Sequence, residues 1–89
     1  MPKVVITHAV EDIDRWLQAK EVRHAAITSG TGSNIIDYVA ADGSNNIAGT
    51  ADIADVRAIA AMLASPSPEL LASMRETGVV PPITVYIEK

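Results

Sequence analysis

No cysteine occurs in these 89 residues, which excludes disulfides, thiolate metal sites and a cysteine nucleophile. Phenylalanine is missing too, and one Trp and two Tyr make up the whole aromatic content of 3%. With 48% of the chain hydrophobic, the core must be built from Ala, Val, Ile and Leu. The seven basic residues are scattered against eleven acidic ones, for a net charge of −4. The basic stripe of a nucleic-acid interface is therefore lacking. No apolar run approaches the roughly 18 residues of a membrane span, and Met1-Pro2-Lys3 leads straight into a strand pattern with nothing of a signal peptide. The expectation is a cytoplasmic chain forming one domain over residues 1–89, with neither nucleic acid nor membrane as partner.

What is present reads as alternating strands and helices. Lys3 to Val10 is short and β-branched, a strand. Asp12 offers a helix cap, and Ile13, Trp16, Leu17, Lys20, His24 and Ile27 recur at helical spacing, so one helix is expected from Ile13 to about Thr28, closed by Gly30. Asn34 to Ala41 and Asn46 to Ala51 form a hairpin about the Asp42-Gly43-Ser44-Asn45 turn. Asp52 is expected to cap the next helix, with Asp55 in its first turn ahead of Val56, Ile59, Ala60 and Leu63. Ser65-Pro66 breaks that helix, and Ser67-Pro68-Glu69 restarts it with serine as cap and proline at the first helical position. Gly78 stops the second piece, and Pro81-Pro82 leads into a last strand, Ile83 to Glu88.

A βαββαβ series of this length predicts an α+β, ferredoxin-like plait: a four-stranded antiparallel sheet with both helices on one face. Right-handed crossovers put the first and third strands in the middle. The strands are apolar on both sides, since Val4, Ile6 and Val10 alternate with Val5, Thr7 and Ala9. Two helices cover only one face, so the face carrying Val5, Ile36 and Tyr86 needs a partner. A second copy packing sheet to sheet, in a homodimer, would provide it.

The element order, Asp12-Ile13-Asp14-Arg15-Trp16 opening the first helix, the broken second helix at Ser65-Pro66-Ser67-Pro68 and the Val-Tyr-Ile ending resemble the dimeric α/β-barrel superfamily. Antibiotic-biosynthesis monooxygenases and muconolactone isomerase belong to it. The resemblance covers nearly the whole chain. It implies two sheets packed into a dimeric α/β barrel, with a pocket in each subunit between helices and sheet. It carries over no catalytic residue, because branches of the superfamily use different ones.

Candidate site residues follow from chemistry. His24 shares a helical face with Trp16 and should point to the sheet, where an imidazole can act as general base or ligand anchor; a histidine bonded to a terminal carbonyl is the plainer alternative. His8 lies in line with Val4 and Ile6, at the pocket mouth if that line faces the helices and at an interface if it faces a partner sheet. Trp16 and Leu63 are core anchors that could also wall a pocket. Tyr38 and Tyr86 could donate a phenol to a substrate, or pack at an interface. Asp37, beside Tyr38, points to the opposite face, and Arg23 and Lys20 read as snorkelling or surface groups. Two histidines without carboxylates at ligand spacing do not make a metal site. Gly30-Thr31-Gly32-Ser33 precedes a strand rather than a helix and so is no phosphate loop. The reading is a small enzyme needing no cofactor, of monooxygenase, isomerase or cyclase type, acting on a hydrophobic small molecule. Its alternative is a dimeric module that binds such a molecule, or serves a structural role, without chemistry.

Overall fold

A computed structural model describes residues 2–30 and 32–89, with side chains 26–30 excepted. The elements run β1 (Lys3–Val10), α1 (Ile13–Gln18), α2 (Lys20–Gly30), β2 (Gly32–Val39), β3 (Asn46–Ile53), α3 (Val56–Ala64), α4 (Pro68–Thr77) and β4 (Val79–Ile87). The four strands form one antiparallel sheet in the order β2-β3-β1-β4, with β1 and β3 central as the crossover rule requires. This is the ferredoxin-like plait, with each helical half divided in two.

The first division was not expected. Ala19 interrupts the helix, and the Trp16 carbonyl just before it accepts a hydrogen bond from Arg23 Nε at 3.0 Å. A side chain inserted at a backbone carbonyl is a recognised cause of a helix break. The second division matches the sequence: Ser67 caps α4 by accepting from Leu70 N, and Pro68 opens it. Gly78 ends α4 in the left-handed conformation at φ 78°, where an added Cβ would meet the Arg15 guanidinium at 2.7 Å.

Four further expectations need correction. Asp55, not Asp52, caps α3: its carboxylate accepts from Ala58 N at 3.1 Å. Asp52 remains in β3, paired with Lys3 Nζ at 3.2 Å and accepting from Asn34 Nδ2 at 2.8 Å, because β3 continues past Ala51 to bury Ile53. Strand β4 begins directly after Gly78, so Pro81-Pro82 lies within it, and pairing with β1 skips from Ala9–Val80 to Thr7–Thr84. Proline has no N–H to give the ladder, so the skip falls where the prolines do. Leu17, expected on the buried face, is exposed. Helix α2 runs through Gly30 rather than ending near Thr28, so Gly30 is its last residue and not a stop beyond it, and the side chain of Ile27 lies outside the described residues.

The helix side of the sheet holds the core. Val4, Ala51, Ile53 and Ile59 form one buried cluster, and Val10, Trp16 and Ile47 another. On the other side, the register aligns Ile36, Thr50, Val5 and Tyr86 in a single row across all four strands. Ile36 is 48% exposed and Tyr86 57%, so the apolar second face read from the sequence is open in the single chain. Among the described residues, no helix is long and apolar enough to cross a membrane.

Candidate functional site

The sheet's helix-facing side contains a gap. On β3 the positions facing the helices are Ile47, Gly49, Ala51 and Ile53. The two small residues in the middle leave the floor low. Beneath α3 and α4 this opens a cavity of about 150 Å³, lined mostly by apolar groups including Ile6, Ile59, Met62 and Leu63. His8, Trp16, Arg23 and Asp37 contribute its polar and aromatic wall.

Those four residues are tied together. Asp37 on β2 lies opposite Gly49 and points to the helices, as its alternation with Tyr38 requires. Its carboxylate accepts both terminal nitrogens of Arg23, at 3.1 and 3.2 Å, a planar fork that suits guanidinium geometry. His24 Nε2 reaches the same carboxylate at 3.1 Å. The side chains of Asp37 and Arg23 are only 6% and 13% exposed, so this ion pair lies largely out of water. Burial works against the Asp37 charge, but the hydrogen bonds and charge of Arg23 and His24 prevail and hold its carboxyl below the usual carboxylate range.

Trp16 supports the cluster from beneath. The Arg23 guanidinium lies 3.8 Å from the centre of the indole, at cation–π distance. His8 meets the same ring edge-on, with centroids 6.4 Å apart. His8 Nδ1 is 2.8 Å from the Ala9 carbonyl. Burial pushes the His8 pKa down and the nearby Arg23 charge pushes it further, overcoming that hydrogen bond. Both influences favour the neutral form of the His8 imidazole.

The sequence candidates thus separate. His8 faces the helices and lines the cavity with Trp16 and Leu63, while His24 joins the site through Asp37. Tyr38 and Tyr86 lie on the other face of the sheet. Tyr38 borders a wider cleft of about 460 Å³ there, with Asn46, Ala48 and Pro81; His8 and Ile47 border it as well. Arg23 is neither a surface nor a snorkelling group: its guanidinium end is the part held inside, on Asp37 and Trp16. The one signal for it was that Arg23 stands next to His24 and seven residues after Trp16, two turns along the helix. Among the described residues, no group of three or more His, Asp or Glu side chains is placed to hold a metal ion.

No known family matches the sequence, and no curated protein does. Solved structures do match in shape. An antibiotic biosynthesis monooxygenase superposes with a TM-score of 0.57 at 11% identity, covering 100% of this chain and 97% of the other. A dimeric ferredoxin-like protein from an uncultured marine organism gives 0.60 at 4% identity over 100% and 93%. A protein from Agrobacterium tumefaciens gives 0.61 at 17% identity over 100% and 92%. The fold is theirs. At these identities the likeness is one of architecture, and chemistry must be argued from the site.

Proposed function

We propose that the chain is a small enzyme needing no cofactor, of monooxygenase, isomerase or cyclase type, acting on a hydrophobic small molecule held between helices and sheet. The observation that carries this reading is the apolar cavity with His8, Trp16 and Arg23 in its wall. A pocket of that make-up, mostly apolar with a few convergent polar groups, is the ordinary form of a small-molecule site. In it His8 handles the proton, Trp16 and Leu63 hold the substrate, and His24 acts through Asp37. The monooxygenase name of one structural neighbour agrees with this reading.

The functional unit is proposed to be a homodimer, joined through the row Ile36, Thr50, Val5 and Tyr86, with Tyr38 at the same interface. Its exposed apolar side chains support this. The alternative, a dimeric binding module without chemistry, draws on the mutual pairing of Arg23 and Asp37, which leaves few polar groups for a reaction.

Filling the cavity tests the reading. A Cβ at Gly49 would have only the Ile36 carbonyl nearby, at 3.9 Å, so Gly49→Val should fold and occupy the floor. Toluene titrated into the protein, followed by fluorescence of the single tryptophan, should saturate with the native chain and not with Gly49→Val. Equal binding by both would sink the pocket, as would failure of both to bind toluene or any polar analogue of its size. Turnover of a bound substrate that is lost in His8→Gln separates the enzyme from the module, in which the ligand stays unchanged.

A further inference from the structure

Arg23 has five N–H bonds. Three are engaged: Nε with the Trp16 carbonyl, and one from each terminal nitrogen with Asp37. Among the described residues, the remaining N–H on each terminal nitrogen has no partner. The guanidinium cannot turn to find one, because it is forked onto Asp37 and stacked on Trp16. It also lines the cavity.

His8 is its complement. A carbonyl oxygen can only accept, so the 2.8 Å contact with Ala9 places the imidazole proton on Nδ1. Nε2 is then left with its lone pair. Like Arg23, the ring lines the cavity and is positioned by Trp16. One indole thus orients a hydrogen-bond donor and a base in the same small apolar space.

We propose that His8 and Arg23 together recognise a small apolar molecule bearing one acidic oxygen, with His8 Nε2 taking its proton and Arg23 holding the oxyanion. This rests on the cavity being a ligand site. In the step, the ligand O–H bond breaks and an N–H bond forms at Nε2, while the electron pair stays on oxygen. The products are an imidazolium and an oxyanion beside the guanidinium. Charge balances in the site. Arg23 and Asp37 cancel each other, and the new cation offsets the new anion, so no uncompensated charge is buried. The ligand thus enters as a neutral acid, or as an anion accompanied by a proton. A phenol and a carboxylic acid share this chemistry and differ in that proton.

Three probes of similar shape test it: phenol, benzoate and toluene, each titrated into the full chain and read by tryptophan fluorescence. At least one acidic probe should bind about tenfold or more tighter than toluene, the scale of a charge-assisted hydrogen bond. Benzoate binding with proton uptake, measured by calorimetry in buffers of different ionisation enthalpy, assigns a carboxylate; phenol binding without uptake assigns a hydroxyl. Arg23→Gln and His8→Gln should each abolish the preference for acid while toluene still binds. His8→Gln keeps an amide donor for the Ala9 carbonyl, so it serves if Arg23→Gln does not fold. Toluene binding as tightly as both acids would overturn this inference and leave the pocket intact. A preference that survives both substitutions would also overturn it. Silence from all three probes would overturn the inference and the pocket together.

Discussion

Asp37 holds Arg23 and His24 in one place, and Arg23 in turn lies on Trp16 and takes its carbonyl. Replacing Asp37 by asparagine would keep its shape and leave the Arg23 charge without its partner in a largely buried site. Breaking such a pair costs about 3 kcal/mol or more, which urea denaturation would record as a lower midpoint with an unchanged slope. The pH dependence follows from two groups. His8 and Asp37 both have lowered pKa values, so in each case the unfolded chain takes up a proton first as pH falls. Stability should be full above the ordinary imidazole range and decline below it as pH falls toward the folded His8 value. A second decline should start below the ordinary carboxylate range. Melting temperature against pH should lose the first limb in His8→Gln and the second in Asp37→Asn. At Arg23, fourteen residues before Asp37, only its place relative to Trp16 and His24 was legible, because helical spacing shows which residues share a face and not what a long side chain reaches. That Asp37 faces away from Tyr38 was legible, since alternation along a strand is local.

Helix ends were mostly encoded by single residues, and the structure uses Asp12, Ser67, Pro68 and Gly78 as the sequence suggested. Asp52 and Asp55 show the limit. Either can cap a helix, and the choice fell to Asp55 because Ile53 is buried in the sheet and carries β3 past Asp52. The break at Ala19 has no proline or glycine to announce it. It coincides with a contact, Arg23 to the Trp16 carbonyl, that depends on how α2 lies against β2. Helices α3 and α4 cover the cavity with Ile59, Met62, Leu63, Leu70 and Met74, and Ser65 to Ser67 separate them. We expect this joint to act as a flap that admits the ligand. Hydrogen exchange over residues 64–70 should be faster than in β1 and β3 and should slow when a probe binds. Protection equal to the central strands in the free protein would exclude a flap.

For the whole molecule, the open face of the sheet is the main demand left by the single chain. Ile36, Tyr38 and Tyr86 all lie on it and are exposed. We expect light scattering at micromolar concentration to give the mass of a dimer. Tyr86→Glu, which puts a charge into the middle of that face, should shift it to a monomer with the fold retained, as far-ultraviolet circular dichroism would show. A sharp monomer mass for the native chain would end the dimer proposal.

Strand and helix order, the central placing of β1 and β3, and the apolar second face were determined by sequence alone, because periodicity, caps and crossover handedness act over a few residues or follow from the fold's chirality. The cavity and its wall were decided only by tertiary structure. Gly49 and Ala51 leave a gap solely because α3 and α4 lie above them. Arg23, Asp37, His24 and His8 meet around Trp16 because packing sets how far the helices sit from the sheet, a distance no local spacing contains.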